Sequence, residues 1–122
     1  MEREQNEKLG TIKISEDVVL TCAAKAVLKT EGVAYLWGGI TDTITKNILG
    51  KDPTGKGLKL ATEEDCYVLD VYVVVDYEVR IPEVAWNIQE NVKNAIEKMT
   101  EIKVKAVNIH IQDVHFPEGE DK

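Results

Sequence analysis

The chain has 122 residues, a length typical of a single domain, and 43% of them are hydrophobic while 30% are charged. This composition can build a hydrophobic core and excludes an intrinsically disordered chain. A net charge of −7 argues against binding to a nucleic-acid backbone and against direct adsorption to anionic lipid, because both need a basic surface.

The sequence also predicts where the protein resides. No apolar run approaches the roughly 20 residues of a membrane helix. The charged N-terminus lacks the apolar core of a signal peptide. Cys22 and Cys66 are far apart in sequence, so a disulfide framework is not expected. A reduced, cytoplasmic protein is therefore predicted, with any membrane association made through a partner.

One domain is predicted over residues 10–115, between a flexible polar tail at 1–9 and a flexible acidic tail at 116–122. The domain begins with a short strand from Gly10 to Ile14, where polar and apolar residues alternate.

The next segment predicts a helix and two short strands. Ser15 is a favourable helix N-cap, and the helix is expected to run to about Lys29. Short strands are expected from Val33 to Trp37 and from Leu58 to Ala61. Between them, Thr41 to Leu49 has the apolar spacing of a short helix.

The longest strand pattern begins at Tyr67. Every odd position from Tyr67 to Val79 is apolar, and successive side chains of a strand point to opposite faces. The even positions are mixed and include Asp70, Asp76 and Glu78. One apolar and one mixed face predict a sheet that is covered on one side. We interpret the three carboxylates as solvated charges on the open face, because nothing else in the pattern converges on them.

This strand leads into the main helix, from Pro82 to Met99. Proline suits the first turn of a helix, where its missing N–H has no partner to lose. Apolar residues follow at helical spacing and form a stripe centred near Ile88, Val92 and Met99. We expect Ile88 and Val73 to be buried together between the helix and the sheet.

A last strand from Val104 to Val114 completes the domain, with Val107, Ile109 and Ile111 facing the core. Strands and helices are mixed without strict alternation. The order predicts an α+β fold, in which a mixed sheet has two main helices packed on one face and its other face largely exposed to solvent.

The segment from Gly50 to Gly57 nearly matches a phosphate-binding loop, but Gly57 stands where a serine or threonine would hold Mg²⁺. The segment also leads into a strand, so no helix N-terminus is available for phosphates. We predict a flexible connector that binds no nucleotide and no other cofactor.

His110, Asp113 and His115 are residue types that bind metals. Positions that differ by an odd number point to opposite faces of a regular strand, so His110 is expected to point away from the other two. A metal site would require the strand to end or to bulge. We predict surface histidines and no bound metal. Neither Cys22 nor Cys66 has a neighbouring histidine that would mark a nucleophile, so no catalytic residue is assigned.

Trp86 lies well off the centre of the helix stripe. It either tucks under a loop, such as the segment around Trp37, or forms an exposed anchor for a partner protein. In the second interpretation, Trp86 and its polar neighbours Gln89, Glu90 and Lys93 form part of a protein contact.

Several short segments occur in a distinctive order. They are Gly10–Ser15 before an Ala-rich helix, Glu31–Ala34, Gly38–Gly39, Val71–Tyr77, Ile81–Ala85, Val92 and Val107–Ile111. Together they resemble the alkaline shock protein family, the envelope stress response proteins of Gram-positive bacteria. The resemblance implies a small, cytosolic, non-enzymatic α+β domain, and some members of the family are held at the membrane by an integral membrane partner. The family has no established catalytic residues, and none is transferred.

We therefore predict a protein-interaction domain of the cell-envelope stress response type, with no reaction of its own. It would act through a membrane-protein partner or by forming a homo-oligomer. The alternative is a small-molecule-binding or regulatory adaptor of a cytosolic enzyme system, which would need a pocket with convergent polar groups. If Trp86 is not the partner contact, the open sheet face around Tyr72 and Val74 is the next candidate.

Overall fold

A computed structural model describes residues 9–38 and 57–117, which form two helices and four strands. The helices are α1 (Glu16–Leu28) and α2 (Ile81–Thr100), and the strands are β1 (Val33–Leu36), β2 (Leu58–Glu63), β3 (Cys66–Asp76) and β4 (Val104–His115). The short helix predicted from Thr41 to Leu49 lies outside the described residues, and so does the connector predicted from Gly50 to Gly57, except for Gly57 itself.

β3 is the central strand of the sheet, and both of its edges are paired. β4 runs parallel to β3 along one edge. β1 and β2 run antiparallel to β3 and lie end to end along the other edge, with β1 near Val75 and β2 near Cys66. The predicted α+β fold with a mixed sheet is confirmed.

β1 ends and β2 begins beside the same residue of β3. The backbone N–H of Trp37 donates to the Tyr72 carbonyl at 2.8 Å, and the Tyr72 N–H donates to the Gly57 carbonyl at 2.9 Å. A Cβ atom on Gly57 would lie only 2.8 Å from the Cβ of Leu36. Glycine at this position therefore lets β2 continue the line of β1 after the intervening segment.

The two helices pack on one face of the sheet, as predicted. Odd positions of β3 from Tyr67 to Val75 are buried, and they meet apolar residues of both helices in a single core. The helix residues of that core are Val19, Ala23, Ala24, Ala26, Val27, Val84, Ile88, Val92 and Ile96. Val73 and Ile88 are both fully buried, so their predicted burial is confirmed.

A polar contact also joins the helices. The Thr30 side chain, buried just beyond α1, donates to the Ala26 carbonyl at 2.9 Å. The Asn91 amide of α2 donates to the Thr30 hydroxyl oxygen, also at 2.9 Å. The buried hydroxyl is thereby satisfied, and the end of α1 is held against the middle of α2.

The strand predicted from Gly10 to Ile14 is wrong, because this segment has no regular structure. A strand needs a ladder partner, and the ladders among the described residues join only β1, β2 and β4 to β3. The segment serves instead as the approach to α1. Ser15 caps that helix as predicted, since its hydroxyl accepts a hydrogen bond from the Val18 N–H at 3.3 Å.

Two boundaries also differ from the sequence pattern. β3 ends at Asp76, so Tyr77 and Glu78 do not continue its two faces. Glu78 has φ of 74°, a left-handed conformation that a strand cannot contain, and the chain turns there into α2. Met99, predicted at the centre of the buried stripe, is 60% exposed and lines an open cavity between α1 and α2.

Candidate functional site

The residues that sequence analysis singled out on α2 form what we call the α2 flank: Trp86, Gln89, Glu90 and Lys93. Trp86 is 58% exposed, so the indole is not packed into the core. Gln89 and Glu90 are also exposed, and Lys93 is half-buried. The structure therefore presents a large aromatic side chain beside polar residues on one helix.

Side chains of the same helix hold α2 against β4. The Gln89 amide donates to the Val107 carbonyl at 3.0 Å. One helical turn further on, the Lys93 ammonium lies 3.1 Å from a Glu97 carboxylate oxygen. That same oxygen accepts a hydrogen bond from the Val104 N–H at 2.8 Å. The α2 flank is therefore attached to β4 at two positions along the helix, directly at Gln89 and through Glu97 at Lys93. These contacts hold the backbone that carries Trp86 in place.

Glu97 was missed by sequence analysis. Its spacing of four residues from Lys93 indicates a helical ion pair, which is a weak signal on a charged helix. Its bond to Val104 depends on how the chain returns from α2 to β4, which no local pattern shows.

Glu97 should make stability depend on pH. Its carboxyl pKa is lowered, first by the hydrogen bond from the Val104 N–H and further by Lys93. A carboxyl with a lowered folded-state pKa stabilises the fold above its unfolded-state pKa, and this contribution disappears as the pH falls through the folded-state value. We expect Glu97→Gln to lower the free energy of unfolding by about 1–2 kcal/mol at neutral pH.

The measurement is urea unfolding of wild type and Glu97→Gln across the acid range. The difference between them should shrink as the pH falls below 4.5, the ordinary pKa of glutamate. Glu90→Gln, on the same helix but exposed, is the matched control and should show little difference at any pH. A Glu97→Gln deficit that is constant with pH would contradict this assignment.

The open face of the sheet, opposite the helices, carries a connected set of polar and aromatic contacts. The Tyr72 and His110 rings stack with centroids 4.3 Å apart, and Lys59 Nζ lies 5.5 Å from the Tyr72 ring centre. His110 Nε2 is 3.0 Å from Asp70 Oδ1, and the Asn108 amide donates to the same oxygen at 3.2 Å. The pKa of Asp70 is lowered, first by the hydrogen bond with His110. These contacts fix the orientation of the half-buried Tyr72.

Val74 lies on the open face of β3 but is only 1% exposed. Tyr35 is its partner in β1, and the Tyr35 ring meets the His115 ring edge to face with centroids 6.0 Å apart. Of the two open-face candidates, Tyr72 therefore offers surface to a partner, whereas Val74 offers almost none in this structure.

The expectation that His110 points away from Asp113 and His115 is wrong. The register of β4 against β3 shifts between Ile111 and Asp113, so Gln112 is an extra residue in the strand. His110, Asp113 and His115 pair with Tyr72, Val74 and Asp76, which are all even positions of β3 and share the open face. The bulge thus reverses the faces after Gln112.

We nevertheless still predict that no metal binds to these histidines. Within residues 9–38 and 57–117, no group of three or more His, Cys, Asp or Glu side chains has a geometry that could hold a metal ion. The protein should therefore retain no stoichiometric zinc after incubation and exhaustive dialysis. Retention of one zinc per chain that is lost in His110→Ala or His115→Ala would overturn this prediction.

Comparison with known proteins assigns the chain to a family. Residues 4–116 match the model of the alkaline shock protein 23 family, which is described as having a cell envelope-related function. The chain belongs to the alkaline shock protein 23 family. This match confirms the resemblance seen in the order of the sequence segments, and it covers every described helix and strand.

Relatives within the alkaline shock protein 23 family occur in Bacillus and Streptococcus. Protein YqhY of Bacillus subtilis is 34% identical over 108 residues, which is 88% of this chain and 79% of YqhY. Protein Spy1535 of Streptococcus pyogenes is 39% identical over 110 residues, covering 88% of this chain and 81% of that protein. Protein YloU of Bacillus subtilis is 32% identical, covering 93% of this chain and 96% of YloU.

Among solved structures, a variant of the MamM CTD is similar, with 14% identity and a TM-score of 0.49. The alignment covers 80% of this chain and 96% of that chain. A similarity of this size carries no inference about function. Neither α1 nor α2 is long and apolar enough to cross a membrane.

Proposed function

We propose that this chain is a protein-interaction domain of the cell-envelope stress response type, which catalyses no reaction and acts through a membrane-protein partner or through self-association. Membership of the alkaline shock protein 23 family supports the link with the cell envelope. The net charge of −7 disfavours direct binding to anionic lipid, so a protein partner is the more favourable route to a membrane.

The observation that carries this proposal is the exposure of Trp86. Exposing an indole to water is unfavourable, and Trp86 does not serve the core, since it is 58% exposed. Tryptophan is among the side chains most enriched at interfaces, where its large surface is removed from water.

The surroundings of Trp86 favour a preformed contact. Gln89 and Lys93 belong to the same flank and hold it against β4, directly or through Glu97. A partner that binds there would not need to order the helix first, which reduces the entropic cost of association. Glu90 supplies an exposed charge at the rim of the same surface.

Trp86→Ala should separate binding from folding. We expect the thermal midpoint to change by no more than a few degrees, while the partner contact weakens by more than about 1 kcal/mol. The contact is measured by affinity capture from the native cell with membrane proteins retained, and self-association by sedimentation equilibrium of the purified chain.

Trp37→Ala is the matched control, because Trp37 is also exposed, at 41%, and lies after β1 on the opposite edge of β3 from β4. It removes the same side chain from a different surface and should leave the captured partners unchanged. Unfolding of Trp86→Ala would place the residue in the core. If Trp86→Ala changes neither stability nor capture nor sedimentation, the contact lies on another surface, and the open face around Tyr72 would be tested next.

A further inference from the structure

A groove runs along the seam between α1 and α2 and is open to solvent. It consists of two adjoining cavities of about 470 Å³ and about 380 Å³, which share Cys22, Lys25 and Met99. The larger cavity extends toward Lys29 and Asn91, and the smaller extends toward Asp17 and Val18. The groove therefore follows almost the whole length of α1, on the opposite side of α2 from the α2 flank.

The floor of this groove is apolar and built from small side chains. Cys22, Ala26 and Ala95 line its larger cavity, so the two helices leave space between them. At one end, Val18 and Met99 are 44% and 60% exposed, although both are large apolar residues. Space above small residues, next to exposed large ones, suits apolar side chains inserted by another molecule.

The rim of the larger cavity carries two positive charges although the protein is acidic. Lys25 and Lys29, one helical turn apart, both line the larger cavity, and no carboxylate belongs to its described lining. Asp17 lines only the smaller cavity, at the far end. The C-terminus of α1 favours lysine by its dipole, but the dipole does not account for the apolar floor beside these lysines.

We propose that this groove binds an amphipathic helix of a partner protein, whose apolar side chains enter the seam and whose flanking carboxylates pair with Lys25 and Lys29. The span from Asp17 to Lys29 is about 18 Å at the helical rise, which matches a partner helix of about three turns. A third helix packed on a helix pair is a common mode of recognition, read by apolar residues at helical spacing. The inference rests on the proposed interaction role but uses a surface separate from Trp86.

Cys22 provides a direct reporter of occupancy because it lies in the floor of both cavities. In a Cys66→Ser background it is the only remaining thiol. The rate of its alkylation by N-ethylmaleimide is measured with and without a designed helical peptide of about 14 residues. One peptide carries a leucine face flanked by glutamates, and a matched peptide has lysines in place of the glutamates.

We expect the glutamate peptide to slow Cys22 alkylation at least about fivefold at concentrations up to about 1 mM, and the lysine peptide to have little effect. Lys29→Glu should lower the affinity for the glutamate peptide by about three- to tenfold. Lys59→Glu makes the same change of charge on the open sheet face and should leave its affinity unchanged. Circular dichroism confirms that each variant is folded.

Several results would overturn this proposal. These are equal protection by both peptides, no protection by either, or an unchanged affinity in folded Lys29→Glu. Protection that rises with protein concentration in the absence of peptide would assign the groove to a second copy. Protection by anionic lipid vesicles alone would assign it to an acyl chain. Trp86→Ala should not alter peptide binding, so failure of the groove and failure of the α2 flank remain distinguishable.

Discussion

Val73→Asp is expected to lower the free energy of unfolding by about 3–5 kcal/mol, because it places a charge without a partner in the core. Val73 is fully buried in the central strand, between Leu36 of β1 and Ile111 of β4. A carboxylate there would either remain charged in an apolar environment or take up a proton at a cost. The measurement is the urea midpoint, read by circular dichroism.

Val68→Asp is the matched control for this substitution. Val68 belongs to the same strand but lies on the open face and is only half-buried, opposite Ala61 and Ala106. The same change of side chain should therefore cost less than about 1.5 kcal/mol. An unchanged urea midpoint in Val73→Asp, or equal losses in the two variants, would contradict the assignment of the two faces of β3.

Gly32→Ala is expected to cost about 2–4 kcal/mol, because two unfavourable effects add at this position. Gly32 has φ of 96°, which an L-amino acid rarely adopts. A Cβ atom there would also lie 2.7 Å from a methyl carbon of Val84, a buried residue of α2. The Gly32 carbonyl accepts a hydrogen bond from the Asp76 N–H, so the backbone cannot relax without loss. Thermal and urea unfolding both measure the effect.

Gly10→Ala separates the two contributions. Gly10 also has a positive φ, 120°, but a Cβ atom there would meet nothing within 4 Å. It lies in the irregular segment before α1, so we expect a loss of no more than about 1 kcal/mol. If Gly32→Ala were as mild as Gly10→Ala, the close approach of the β1 start to α2 would not be a constraint on this fold.

The two proposed surfaces give α2 a double role. Its α2 flank beside β4 carries Trp86, and its other side forms the groove with α1 through Asn91, Ala95 and Met99. The residues between them, such as Ile88 and Val92, are buried in the core. A single helix can therefore anchor the fold and present two separate contacts, and substitutions at Trp86 and at Lys29 test these contacts independently.

The sequence by itself determined the two helices and four strands that the structure describes and the layer in which most of them lie, although it also predicted a strand from Gly10 to Ile14 that does not form. Alternation along β3 and helical spacing along α2 are properties of neighbouring residues, so they identified the buried faces around Val73 and Ile88. The Ser15 cap and the start of β3 near Cys66 depend on local chemistry and were also visible. The order of segments was specific enough to indicate the alkaline shock protein 23 family.

Only the tertiary structure decided the features that depend on distant contacts. The extra residue Gln112 reverses the faces of β4, because a shift of one residue in a strand moves every later side chain to the other side. Glu97 accepts a hydrogen bond from the Val104 N–H only because the chain turns back from α2 into β4. Met99 is exposed and lines the groove between α1 and α2, and such a groove exists only where two helices distant in sequence pack together. Local periodicity shows which side of an element is apolar, and the packing of distant elements determines how much of that side is covered.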